Sequence, residues 1–197
     1  MAHQVVELEC PGCGKAINTS TRQCPQCFRE IVITTFNSVA GMSPLDINKH
    51  ANAYRKALAG NPDNKDLNTS IAFCYLKLKL YDKALPCFEK AIEDNFDNSE
   101  TYFYAAICLL KGKKAFLIPR TDIDKIEEYI QAAIMIEPKA IYHYFWAYIR
   151  YDHHYRKAYN MSPNYKELLN QAVQIGLSQS DVKELFDILG VDRPEQL

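Results

Sequence analysis

The sequence predicts a mainly α-helical chain of stacked antiparallel helix pairs, with a small β-rich module at its N-terminal end. Three observations carry that prediction. Four of the seven cysteines fall within residues 10–27 as two C-P-x-C pairs. From Ser43 onward, apolar residues recur at helical spacing and are punctuated by proline, glycine and asparagine. That helical pattern also returns on itself after about 34 residues.

Size and charge set the outer bounds. With 197 residues, 48% of them hydrophobic, the chain can bury one substantial core, or one domain plus a small satellite. A net charge of -1 lacks the basic footprint of most nucleic-acid binders. There is no apolar run of about eighteen residues, and the opening MAHQVVELEC lacks the basic-then-apolar order of an export signal. The expectation is a cytoplasmic chain without a membrane segment.

The first element, residues 1–36, is organised by Cys10, Cys13, Cys24 and Cys27. Two residues between thiols let each pair wrap a tight turn whose sulfurs and backbone N–H groups converge on one ion. Two such turns complete the tetrahedral sulfur shell that zinc favours. Gly14 follows the first pair and can take the positive φ such a turn often needs, whereas Phe28 follows the second. Two disulfides would require an oxidising compartment, and a redox pair would need only one C-x-x-C, while iron accepts the same four thiolates. The stretch CPGCG…CPQCF, with flanks VVELE and REIVITTF read as strands, resembles a short zinc ribbon. The reading is one structural Zn2+ with four cysteine ligands and no open catalytic position. Lys15, Arg22 and Arg29 are cancelled by Glu7, Glu9 and Glu30, which disfavours phosphate binding by this module.

Residues 37–43 form a short connector, and residues 44–197 the helical array. Ser43-Pro44-Leu45-Asp46 reads as a helix cap, a proline at the first helical position and an acid in the first turn, with Gly60 and Pro62 stopping that helix. In KDLNTSIAFCYLKLKLYDKALPCFEKAIEDNFDN, Ile71, Ala72 and Tyr75 mark one helix, and Ala84, Phe88, Ala91 and Ile92 the next. This segment resembles a tetratricopeptide repeat (TPR). Asn68 stands at the family's bulky aromatic position, and the Asn95-Phe96 region replaces its closing proline. A shift of one repeat length aligns Tyr54, Ala57, Leu58 and Pro62 with Phe88, Ala91, Ile92 and Phe96. A forward shift puts Tyr102, Ala105 and Ala106 on a next first helix. After the longer loop KKAFLIPRTD the pattern resumes at Ile123, Tyr129 and Ala132. An aromatic helix over about 140–151, a helix over about 163–175 and a terminal helix with Ser180 as cap and Gly190 as stop complete eight helices. The resemblance implies a TPR-like α-solenoid, a scaffold that binds another protein or a peptide segment, usually without catalysis.

In such arrays the first helix of each pair lines the concave face. The alignment then puts Thr69, Phe73, Leu76 and Lys77 there, followed by Phe103, Ile107, Leu110 and Lys111, with Tyr144, Tyr148 and Tyr151 continuing one face. Phe73 and Ile107 stand where relatives that clamp chaperone tails carry asparagine, so the expected groove is apolar. Either a partner segment covers it, or the ribbon, the long loop or the last helix fills it from within the chain.

Other residues are expected to be structural. Cys74, Cys87 and Cys108 read as helix packing, and His153-His154 as a solvent-facing or cationic helix end. No nucleophile-elbow, phosphate-loop, zinc-protease or dinucleotide motif occurs. The sequence therefore points to a non-enzymatic adaptor. The alternative is a nucleic-acid-associated regulator working through the ribbon, and the oligomeric state is open.

Overall fold

In a computed structural model of the chain, residues 5–94 and 96–197 are described, and they fall into two compact units, Met1–Phe96 and Asp97–Leu197. Residue 95, half of the Asn95-Phe96 pair at the repeat's closing position, lies outside the described residues. No helix among the described residues is long and apolar enough to cross a membrane.

The first unit begins with strands β1 (Glu7–Glu9) and β2 (Ala16–Asn18), antiparallel with Leu8 opposite Ile17. The expected second strand flank, REIVITTF, is different. It makes one isolated bridge, Gln23 to Glu30, and then continues as an irregular segment with bends at residues 31, 32 and 35, with Ile31, Ile33 and Phe36 buried. Its alternating apolar residues read like a strand, but they pack on a helix rather than pairing with another strand. Helices α1 (Asn37–Ala40), α2 (Pro44–Gly60), α3 (Lys65–Lys77) and α4 (Tyr81–Asp94) follow. Ser43 caps α2 as expected, its hydroxyl accepting from the Asp46 N–H at 3.2 Å. Ala72 and Ala84 are fully buried in α3 and α4, which pack on each other, and Phe73 meets Phe88 edge to face at 5.3 Å. Asn68 replaces the family aromatic for a visible reason. Its amide donates to the Pro62 and Asn64 carbonyls at 2.8 and 3.0 Å, tying α3 to the turn before it.

The second unit holds α5 (Ser99–Leu109), α6 (Arg120–Ile136), α7 (Ala140–Ile149), α8 (Tyr165–Ile175) and α9 (Gln179–Leu189). Helices α5 with α6, and α7 with α8, form the closest-packed pairs. Asn98 caps α5, and Asn164 with Glu167 makes a reciprocal capping box on α8. The cap of the last helix lies two residues before the expected one: Ser178, not Ser180, is the cap and accepts from the Ser180 N–H, and Gly190 ends the helix at φ +69°. The expected aromatic helix stops being α-helical at Ile149. Residues Arg150–His154 widen into a π-helical turn, followed by a 3-10 turn over Tyr155–Lys157. The long loop folds back onto this turn. Its Ala115–Leu117 stretch donates from Ala115 N to the Tyr148 hydroxyl and from Phe116 N to Asp152.

Candidate functional site

Two knuckles with the same backbone plan gather the four thiols. In the first, Gly14 N donates to Cys10 O at 2.9 Å and Cys10 N to Lys15 O at 2.8 Å. In the second, Phe28 N donates to Cys24 O and Cys24 N to Arg29 O, both at 2.8 Å. Each plan needs a left-handed residue just after the second cysteine. Gly14 supplies it at φ +75°, and Phe28 supplies it at φ +57° with a ring 75% exposed, so packing does not offset that strain.

All four sulfurs lie within 4.8 Å of one another, with Cys10 to Cys27 at 3.5 Å and Cys13 to Cys24 at 3.6 Å. A tetrahedron with metal–sulfur bonds of about 2.3 Å has sulfur–sulfur edges of about 3.8 Å. The donor set therefore fits one ion, with all four corners taken by protein. The local field helps. Hydrogen bonds from the backbone N–H of Cys27, then Gln26, bring the Cys24 thiol down to about 6, whereas burial pushes Cys10 up.

The module is tied to the helices by ordinary contacts. Arg29 reaches Asp46 of α2 at 3.0 Å and holds that carboxyl below its usual range. Gly12 is pinned between knuckle and arginine: a Cβ there would lie 2.5 Å from Arg29 Cδ and 3.1 Å from Cys27 Sγ. The segment that follows then runs along α3. Ile33 N donates to Ser70 Oγ at 2.9 Å, and Lys77, seven residues along, donates to Ala40 O and lies over the Phe36 ring.

The residues expected in a groove occupy defined places within their own units. Phe73 and Leu76 are buried and Lys77 half-buried beside the segment just described. Phe103, Ile107 and Leu110 are buried in α5 and its C-terminal turn, with Phe103 against Tyr142 and Phe145. Tyr144 and Tyr148 are buried under Phe186 of α9 at 6.3 and 5.4 Å, and Tyr151 bonds to Gln196 at 2.7 Å.

One cluster escapes a reading by motif. His153 and His154, expected at an exposed helix end, are buried instead, because the π turn rolls both rings inward. His154 Nε2 lies 3.1 Å from Glu127 Oε1, the oxygen that also pairs with Arg150 Nε at 3.0 Å. Burial, then the Lys157 charge, lowers His153 to about 4. The available signal was the charged run RYDHHYRK directly after a strongly apolar helix. Of the other cysteines, Cys74 and Cys108 are buried and Cys87 is partly covered. Burial pushes Cys74 to about 12 and Cys87 to about 11.

Residues 51–107 match the family model described as Tetratricopeptide repeat. No curated protein matches the chain. Among solved structures, MamA AMB-1 aligns with a TM-score of 0.51 and 18% identity over 75% of this chain and 74% of that one. MamA MSR-1 C2 aligns with a TM-score of 0.47 and 19% identity over 72% and 68%. The chain thus combines helix pairs of the tetratricopeptide type with a small N-terminal four-cysteine module of zinc-ribbon form.

Proposed function

We propose that the chain is a non-enzymatic, cytoplasmic scaffold that binds another protein or a peptide segment, its N-terminal module held by one structural zinc ion on Cys10, Cys13, Cys24 and Cys27. The match of residues 51–107 to the tetratricopeptide repeat carries the scaffold reading. The spacing of the four sulfurs carries the zinc reading.

The recognition residues in this reading are Phe73, Leu76 and Lys77 within the first unit and, taken separately, Phe103, Ile107, Leu110, Tyr144, Tyr148 and Tyr151 within the second. In the first unit residues 31–40 lie along α3, and in the second α9 lies on α7. A partner would reach these side chains by replacing those segments. It would need an apolar, amphipathic stretch of its own to do so.

The test uses the purified full chain and a Cys24→Ser/Cys27→Ser variant, both assayed for zinc, as baits in native lysate. Any captured protein is then purified and rebound at two salt concentrations. One zinc per wild-type chain, none in the variant, and direct binding that changes little with salt support the proposal. Affinity that falls about a thousandfold between 50 and 200 mM salt would transfer the function to a nucleic-acid or other polyanionic partner. A failure of every captured protein to rebind in purified form would overturn the scaffold reading.

A further inference from the structure

The second unit contains a cavity of about 240 Å³ lined by Arg150, His154, Tyr155, Tyr159, Tyr165 and Lys166, among others. We propose that it binds a small oxyanion, a phosphate or carboxylate group, carried on a flat ring. The site is distinct from the four-cysteine module and does not depend on the scaffold reading.

Its floor is an under-used cation. The Arg150 side chain is 6% exposed, pairs with Glu127 and lies over the Trp146 ring at 5.5 Å. Glu127 Oε1 is shared with His154, and among the described residues Arg150 Nη1 has no hydrogen-bond partner. A buried guanidinium donor left unpaired is costly, and an oxyanion is the ligand its fork fits best. His154, 1% exposed, lines the same cavity with its Nδ1 also unpartnered. That nitrogen can donate to an anion's oxygen or accept from its hydroxyl, depending on where the ring proton sits.

The remaining charges reinforce this choice. Lys166 stands in the first turn of α8 at the cavity, with its ammonium over the Tyr165 ring. The nearby acids are committed: Glu127 to Arg150 and His154, Glu167 to the Asn164 N–H at 2.9 Å, and Asp152 to Arg156 and Phe116 N. What is left over is positive. A cation in the tyrosine cage would face the guanidinium directly, so an aromatic cage for ammonium groups is excluded.

The walls specify the ring. Tyr155 and Tyr159 are 59% and 51% exposed although they border a buried charge. Tyr155 stacks on Tyr151 at 5.8 Å and leans on Tyr165 at 5.1 Å, while Tyr159 sits 6.3 Å from the His154 ring, so half-exposed aromatic surface borders the anion position. The π turn is what makes this possible. It opens at Arg150 and closes at His154, delivering both into one cavity.

The experiment is an amide NMR titration of the zinc-loaded full chain with phenyl phosphate, benzoate, inorganic phosphate and phenol. The expected result is saturable shifts confined to residues 150–166 and their packing partners. Phenyl phosphate or benzoate should bind about tenfold more tightly than inorganic phosphate or phenol, and the stronger of the two identifies the anion. Arg150→Lys keeps a charge opposite Glu127 but loses the fork, so it should retain the native spectrum and weaken binding about tenfold. Lys166→Ala, at an exposed position, should weaken it about threefold. Absence of saturable shifts in this region at millimolar ligand, or unchanged affinity in Arg150→Lys, would overturn the proposal. Equal affinity for phenyl phosphate and inorganic phosphate would overturn the ring-stacking half.

Discussion

The four cysteines of the N-terminal module and the three of the helices are the same side chain put to opposite uses. Cys24 sits where backbone N–H groups point at its sulfur, and its thiol falls to about 6. Cys74 sits among apolar side chains on α3 and rises to about 12. Backbone donors make a metal ligand, and desolvation makes an inert packing group. The difference lies in the backbone around each residue: a turn leaves its amides free to point at a sulfur, whereas helix-interior amides are already bonded within the helix.

The sharpest way to break this contrast is to remove the metal. Chelation, or Cys24→Ser/Cys27→Ser, should unfold the module, because structural zinc binding contributes about 10 kcal/mol of coupled folding energy in small metal domains. Loss of β-signal and of protection in residues 6–33, with α5–α9 unaffected, checks it. On the helical side, Cys74→Ser puts a hydroxyl into a fully buried apolar site and should cost about 1–3 kcal/mol, read by urea melting, with zinc content unchanged. Gly12→Ala pushes a methyl into Arg29 and should lower zinc affinity by about tenfold in competition with a chelator.

The pH dependence sharpens the same comparison. Cys24 has a folded-state pKa of about 6 against an ordinary value of 9.0, so its contribution is fully present above about 9. It declines as pH falls and is gone below about 6. Cys74 has the reverse shift, so its site is indifferent to pH below about 9 and loses stability as the unfolded thiol ionises above that. Alkylation of the metal-free chain at pH 7 should label Cys24, freed with its module, well before Cys74, which stays buried in α3. The smallest effect is expected from Arg29→Gln, which removes a partly exposed, salt-screened ion pair to Asp46 and should move the urea midpoint least of these variants.

Much of this was legible in the residues. The C-x-x-C spacing located the thiol cluster because two short turns leave few other arrangements. Ser43, Gly60 and Gly190 marked helix ends through local hydrogen bonding and backbone freedom, which depend little on tertiary context. REIVITTF alternates like a strand, because alternation reports a half-buried face without saying whether a strand or a helix lies beneath it. The sequence of the Arg150–His154 turn resembles an ordinary helix end, and its Asp152 contact comes from Phe116, 36 residues away, which local pattern does not encode. Whether an aromatic stripe faces a partner or its own chain is likewise decided by long-range contacts such as Phe186 on Tyr148, which periodicity does not encode.

The course of residues 31–40 along α3 has a kinetic consequence. Only three residues separate Cys27 from Ile31, and the Ile33 amide is buried and held by Ser70 Oγ. The last of the four thiols and the cover of α3 therefore belong to one opening unit. Deuterium uptake at the Ile33 amide should follow metal occupancy, reporting the state of the knuckles through its hydrogen bond to Ser70 of α3.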